Sequence, residues 1–305
     1  MQTVGRFAPS PSGRMHLGNV LCALLAWLSA RHQNGAFLLR IEDLDAMRCP
    51  RSYADLIMDD LRWLGLDWDG EVPYQSERAP IYEKYEQILR EKGLLYPCFC
   101  SRAALHAASA PHLSDGRVLY AGTCRGLTPA EIEEKRKKRA PATRVRVPDE
   151  IISFTDGVFG AYSENLAEEC GDFIIRRSDG VFAYQLAVTV DDGLSGVTEV
   201  VRGSDLISST PRQIWLYRLF GFEPPHFVHI PLLCDVDGRR LSKRDEDLDL
   251  GLLRERFTPE QVIGALAFAA HLTDRAEPAS VRELVQDFDW SRIPRHELCL
   301  PPMFR

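Results

Sequence analysis

The sequence predicts an α/β fold built on a parallel sheet and interrupted by a loop-rich insertion. Three observations carry that prediction. Residues 4–8 form a short apolar run, broken by Pro9-Ser10-Pro11-Ser12-Gly13, after which Leu17, Leu21, Leu24, Leu25 and Leu28 recur at helical spacing. Strand-like runs then alternate with amphipathic stretches as far as Tyr96. From Cys98 to about Arg177 the alternation stops, and it returns at 197–201.

Each element follows from local chemistry. The two prolines after Ala8 remove ladder donors and Gly13 permits a tight bend, so the first strand must end there. Residues 36–41 read as a buried strand leading into Arg40-Ile41-Glu42-Asp43-Leu44-Asp45. Tyr53, Ile57, Leu61 and Leu64 mark a helix that Gly65 ends, and a further helix over 81–92 is stopped by Gly93. Thr128-Pro129-Ala130-Glu131 is a capping box with proline at the first helical position. Short strands are expected at 143–147 and 151–154. Residues 173–176 and 181–190 flank Ser178-Asp179-Gly180 as a hairpin. Thr210-Pro211 opens a helix to about Phe220, and 228–233 is the last expected strand. Asp237-Gly238 is a turn signal, and from Leu248 onward the chain reads as helical, with Thr258-Pro259-Glu260-Gln261 as another capping box.

The 305 residues suffice for two or three domains, and 45% hydrophobic content is ordinary for a globular chain. No run reaches membrane-spanning length. Met1-Gln2-Thr3 leads almost directly into the first strand, so no signal peptide is expected and the location is expected to be cytoplasmic. A net charge of −7 means that any nucleic-acid partner must be met by local basic groups. The run Lys135-Arg136-Lys137-Lys138-Arg139 reads first as a solvated helix end and only second as a phosphate contact. Eight cysteines in a cytosolic chain argue against a disulfide framework.

The corner after the first strand has chemistry of its own. A strand, a small-residue loop and a helix N-terminus aim backbone N–H groups and a helix dipole at an anion. His16 sits there as a donor to a phosphate oxygen; alternatively His16 and Ser12 cap the helix. A second motif, Arg239-Arg240-Leu241-Ser242-Lys243-Arg244, lies far along the chain and in isolation reads as a solvated basic turn. Together, Arg6-Phe7-Ala8-Pro9-Ser10-Pro11-Ser12-Gly13-Arg14-Met15-His16-Leu17-Gly18-Asn19 and this basic motif resemble the two ATP-binding signatures of class I aminoacyl-tRNA synthetases of the glutamate type. The resemblance runs from Gly5 to about Arg244 and is closer to the family of glutamyl-queuosine tRNA(Asp) synthetases.

That resemblance implies a class I Rossmann-type catalytic domain with a zinc-bearing insertion and a C-terminal helical stem-contact region. The expected segments are 1–96 and 181–236 for the two catalytic halves, 97–180 for the insertion, and 237–305 for the basic motif and helices. It implies an ATP site at Pro9, Ser12, His16, Gly18, Asn19, Leu241, Ser242 and Lys243, with His16 and Lys243 catalytic. It implies an L-glutamate site at Arg6, Ala8, Ser10, Glu42, Tyr184 and Arg202. The chemistry suits the ligand: two arginines grip a carboxylate by charge-assisted hydrogen bonds, Tyr184 adds a hydroxyl, and Glu42 pairs with the ammonium. The substrate carboxylate attacks the α-phosphate of ATP, so positioning and charge neutralisation dominate, and Mg²⁺ travels with ATP.

Cys98-Phe99-Cys100 and Cys124 place three thiols where they can share a metal, or serve as buried packing residues. Resemblance makes Tyr120 the fourth ligand of one structural Zn²⁺, with His106 and His112 as rivals. Two departures stand out: Asn19 where class I enzymes more usually have histidine, and Leu44 where ordinary glutamyl enzymes tend to have threonine. Only about sixty residues follow Arg244, too few for a large anticodon-reading body, though Arg254, Arg256, Arg275, Arg282, Arg292 and Arg295 are candidates for stem contacts. The expected activity is tRNA-independent formation of glutamyl-adenylate, then transfer to queuosine in tRNA(Asp), by a monomer with no membrane partner. The alternatives are a compact synthetase charging a tRNA 3′ end and a non-catalytic paralogue.

Overall fold

The computed structural model describes residues 2–101, 119–235 and 249–304. His106, His112 and the whole basic motif from Arg239 to Arg244, with Leu241, Ser242 and Lys243, lie outside the described residues.

The expected parallel sheet is present. Strand β1 (Val4–Phe7) leads through the Pro-Ser loop into helix α1 (Leu17–His32), and β2 (Ala36–Leu39) pairs parallel with β1, Val4 opposite Ala36. The second parallel pair is β8 (Glu199–Gly203) with β9 (His226–Ile230), in which Arg202 lies opposite His229. Thr198 N–H donates to Val4 O at 2.9 Å, tying the two pairs edge to edge. α1 is apolar around most of its circumference, as a central helix must be. It packs on β1, β2 and β8 on one side and on the C-terminal helices α8 (Pro259–Ala269) and α9 (Val281–Leu284) on the other.

Helices α2 (Arg51–Trp63) and α3 (Ala79–Glu91) end as read, with Gly65 and Gly93 in the left-handed region at φ 78° and 68°. Strand β3 (Leu95–Cys98) begins the insertion and joins β4 (Ala142–Val145) and β7 (Phe173–Arg176) in an antiparallel sheet. Between them lies α4 (Pro129–Arg136), with its Thr128–Glu131 capping box formed. β5 (Ile151–Asp156) pairs with β6 (Gly160–Asn165), a strand the sequence pattern did not announce because Gly160, Ser163 and Asn165 are poor strand formers.

Three expectations are corrected. Residues 181–190 do not form the second arm of a hairpin: the Ser178–Gly180 turn exists, but only Phe182 bridges Arg176, and Tyr184–Leu194 is helix α5. This helix is buried along most of its length, so its apolar run reads like a strand. The expected strand 228–233 splits at Pro231, whose missing N–H ends β9 before β10 (Leu233–Cys234). The C-terminal stretch is helical only in part: α7 (Leu250–Arg256), α8 and α9 are followed by β11 (Leu298–Cys299), parallel to β10. Helix α6 (Thr210–Phe220) begins and ends as predicted.

Candidate active site

One cavity of about 430 Å³ opens at the carboxyl ends of β1 and β8, where the crossover loops of a parallel sheet leave a crevice. It is lined by all six expected glutamate residues, Arg6, Ala8, Ser10, Glu42, Tyr184 and Arg202. Pro9, His16, Gly18 and Asn19 of the expected ATP set line it as well; Ser12, in the same loop, does not.

His16 is the N-cap of α1. Its Nδ1 accepts from Gly18 N–H at 3.1 Å, and Asn19 Oδ1 accepts from His16 N–H at 3.4 Å. Capping and phosphate contact are therefore not exclusive, because a neutral ring that accepts at Nδ1 carries its proton on Nε2. Gly18 permits this packing: a Cβ there would lie 3.0 Å from the imidazole. The capping does remove one expected donor, since the Gly18 amide is already committed to His16.

The corner is also tied to the C-terminal helices. Leu250 N–H donates to Met15 O, and His16 pairs with Asp249 in an isolated bridge. Arg14 and Arg254 both grip the fully buried Asp60, at 2.8 and 2.7 Å. Arg254, expected as a stem contact, is thus engaged in an internal network, where it also reaches Asp59. Leu233, which lines the cavity, and Asp249 are described residues on either side of the basic motif.

The two sides of the cavity differ in charge. On one side Arg6 donates to Asp192 at 3.3 Å, and Arg40 reaches Asp192 at 2.6 Å and Glu42 at 3.1 Å. Asp191 accepts from Arg78, Gln75 and Tyr82 at 2.7–2.8 Å. Burial works against the charge of Asp192, but Arg40 and Arg6 overcome it and hold its carboxyl below the usual range. For Glu42 the balance goes the other way: burial pushes the carboxyl up further than Arg40 and Arg6 pull it down.

On the other side Arg202 is equally buried, at 5% exposure. It donates from Nε to His229 Nε2 at 3.0 Å, and from its terminal nitrogens to Gln213 Oε1 and Thr210 Oγ1, both at 2.8 Å, and to the Tyr184 hydroxyl at 3.3 Å. Among the described residues no carboxylate lies within ion-pair distance of it. A buried cation whose partners carry no charge of their own is costly, and an anionic ligand repays that cost.

A second constellation lies in the insertion. The sulfurs of Cys98, Cys100 and Cys124 lie within 4.8 Å of one another, with Cys100 Sγ 3.8 Å from Cys124 Sγ. Tetrahedral ligands about 2.3 Å from a zinc ion stand about 3.8 Å apart, so the donor set fits that ion. The Tyr120 hydroxyl is 3.6 Å from Cys98 Sγ and accepts from Cys124 N–H at 2.8 Å. Arg144 donates to Cys98 Sγ at 3.2 Å and stacks over the Tyr120 ring. Burial would raise the Cys98 thiol, but the Cys100 amide and Arg144 bring it below its ordinary value; Cys100 is pushed up to about 11 by burial and its two neighbouring sulfurs.

The family model described as tRNA synthetases class I (E and Q), catalytic domain, matches residues 2–291. The chain belongs to this family. A glutamyl-Q tRNA(Asp) synthetase of Symbiobacterium thermophilum is 50% identical over 97% of this chain and 95% of its own length. One from Nitratidesulfovibrio vulgaris is 47% identical over the same shares. Among solved structures, a glutamate tRNA ligase of Elizabethkingia meningosepticum in complex with its amino acid is 28% identical. It superposes with a TM-score of 0.84, covering all of this chain and 68% of that one.

For a member of the class I family, sequence reasoning missed the partners rather than the cavity-lining residues. Arg40, Asp191 and Asp192 carry the charge network, Thr210, Gln213 and His229 surround Arg202, and Asp156 stands behind His229. One signal was available: two adjacent acids in the apolar run of α5 are out of place unless paired. Leu44, the departure from the ordinary glutamyl pattern, packs against the core cluster to which Tyr82, Phe182 and Leu186 belong.

Proposed function

We propose that the cavity activates L-glutamate with ATP and that the chain then transfers the glutamyl group to queuosine in tRNA(Asp). The observation that carries this is Arg202, a buried cation whose partners among the described residues are uncharged, facing the same cavity as Glu42 and the N-terminus of α1. In this reading Arg202 and Tyr184 hold the side-chain carboxylate and Arg6 adds positive potential, with Ala8 and Ser10 shaping the wall. Glu42 pairs with the ammonium. The reacting carboxylate attacks the α-phosphorus, the bond to the bridging oxygen breaks, and pyrophosphate leaves with the electron pair. Pro9, Ser12, His16, Gly18 and Asn19 bind ATP with Mg²⁺, His16 and the helix dipole stabilising phosphate charge. Leu241, Ser242 and Lys243 complete the site, Lys243 neutralising charge that develops in the transition state. Leu233 and Asp249, which flank the motif in sequence, lie at the cavity and beside His16. A nucleophilic group of the queuosine base then attacks the acyl carbon, and AMP leaves.

The segments 1–96, 97–180, 181–236 and 237–305 are assigned to catalytic half, insertion, catalytic half and stem-contact region. Cys98, Cys100, Cys124 and Tyr120 hold one structural zinc ion, which stiffens an insertion whose own apolar cluster is small. Metal analysis of protein purified without added metal is expected to give one zinc per chain, lost in Cys124→Ser. The location is cytoplasmic and the protein a monomer; no helix among the described residues is long and apolar enough to cross a membrane.

The decisive experiment loads radiolabelled glutamate onto tRNA(Asp) from cells able and unable to make queuosine, then digests the tRNA to locate the label. Label at the wobble base of the queuosine-bearing tRNA only is expected. Label on both tRNAs, or at a 3′ end, would replace this reading with a compact synthetase.

A further inference from the structure

We propose that His229, held in a single tautomer by Asp156, is a positioning residue that aims the Arg202 guanidinium at the carboxylate of the amino-acid substrate. The proposal rests on the reading that Arg202 holds that carboxylate. Arg202 and His229 are register partners on β8 and β9, so their side chains share one face of the sheet. The Arg202 Nε–H points at His229 Nε2 at 3.0 Å. An arginine only donates, so Nε2 must be the accepting nitrogen and the proton of the neutral ring must sit on Nδ1. That nitrogen faces Asp156 Oδ2 at 2.6 Å, and both side chains are fully buried.

Asp156 is itself immobilised. Its carboxylate accepts from the backbone N–H groups of Val158, Phe159 and His229, which anchors it at the turn between β5 and β6. That turn is pressed onto β9: Gly157 N–H donates to Phe227 O at 3.0 Å, and a Cβ on Gly157 would lie 2.8 Å from the Val228 side chain. The hairpin of the insertion therefore reaches the substrate cavity through two side chains. An alternative arrangement, with Asp156 directly against Arg202, would neutralise the cation. Interposing a neutral imidazole fixes the Arg202 Nε edge and keeps the carboxylate one ring away, so the guanidinium stays available to a ligand.

The experiment is glutamate-dependent pyrophosphate exchange on three full-length variants, each checked for folding by circular dichroism. His229→Leu removes the acceptor and is expected to raise the glutamate KM about 10- to 100-fold, the scale of one charge-assisted hydrogen bond, with the ATP KM unchanged. His229→Gln, which can accept from Arg202 and donate to Asp156, is expected to recover most of that loss. Equal losses for glutamate and ATP, or no change in either, would overturn the proposal. Arg202→Ala separates the two readings. A glutamate KM that stays put there removes the role of Arg202 and this proposal with it. A large rise there beside an unmoved His229→Leu overturns the positioning role alone. Should the His229 variants not fold, the wild-type protein still decides. Its ¹H–¹⁵N histidine spectrum at neutral pH is expected to contain a buried neutral ring protonated at Nδ1, lost as a resonance in no other single histidine variant. Assignment of His229 as Nε2-protonated or doubly protonated would overturn the proposal.

Discussion

Arg6 and Arg202 line the same cavity and are equally buried, yet they sit in opposite electrostatic settings. Arg6 belongs to a closed account of charges: with Arg40 it shares Asp192, and Glu42 and Asp191 balance the rest. Arg202 is surrounded by an imidazole, an amide and two hydroxyls. The contrast teaches that burial of an arginine does not by itself mark a binding group. What distinguishes them is the sign and charge of their neighbours: Arg6 shares its charge with Asp192, and Arg202, with no carboxylate partner among the described residues, is in the proposed reading the one open to an anion.

The largest effect is expected from removing the compensation on the Arg6 side. Asp192→Ala leaves two buried guanidiniums short of a counter-charge and is expected to cost ~3–5 kcal/mol of stability by urea denaturation. A loss under about 1 kcal/mol would mean that the Arg6 side is no better paired than the Arg202 side. The converse change gives Arg202 a carboxylate partner, of which it has none among the described residues. Gln213 Oε1 accepts from Arg202 at 2.8 Å, so Gln213→Glu puts a carboxylate there. The expected result is a 10- to 100-fold weaker glutamate affinity by calorimetry, about 1.4–2.8 kcal/mol, in a protein no less stable than the parent. Unchanged affinity would show that the charge of Arg202 is not what binds the ligand.

The smallest effect is a pH dependence that separates Glu42 from Asp192 within one network. Glu42 is pushed up by burial, so it must lose a proton to pair with an ammonium, and glutamate affinity is expected to fall on acidification with a midpoint above the ordinary value of about 4.3. Its native pKa lies above the unfolded one, so its protonation adds stability below about pH 4.3, which is lost as pH rises through the native value. Asp192 has the opposite sign. Its native pKa is depressed, so its stabilisation is present above about pH 3.9 and disappears as pH falls through the native value. Glu42→Gln is expected to flatten the affinity profile while leaving the acid unfolding carried by Asp192. A profile that keeps its midpoint in Glu42→Gln would assign the titration to the substrate instead.

Much of this was legible beforehand because it depends on neighbours in sequence. The Thr128 and Thr258 capping boxes, the Gly65 and Gly93 helix ends and the corner after β1 each follow from a few adjacent residues, and each is found. The burial of α5 hid its helical period, Pro231 split an expected strand, and the prolines at 294 and 301 broke up a C-terminal region that composition alone made helical. The expected site residues came from the motifs and the family resemblance they carry, and ten of the eleven expected glutamate and ATP positions that are described line one cavity.

What the sequence by itself determined was which groups line the cavity: Arg6, His16, Glu42 and Arg202 sit at strand ends or a helix start, and those ends are set by prolines, glycines and apolar periods close by. Only the tertiary structure decided which of them are charged sites in waiting. Arg6 finds Asp192 186 positions away, and Arg202 meets His229 27 positions on through the register of β8 with β9. Counter-charges act through space over a few ångströms, so no local reading of the chain can tell a neutralised arginine from one left open to an anion.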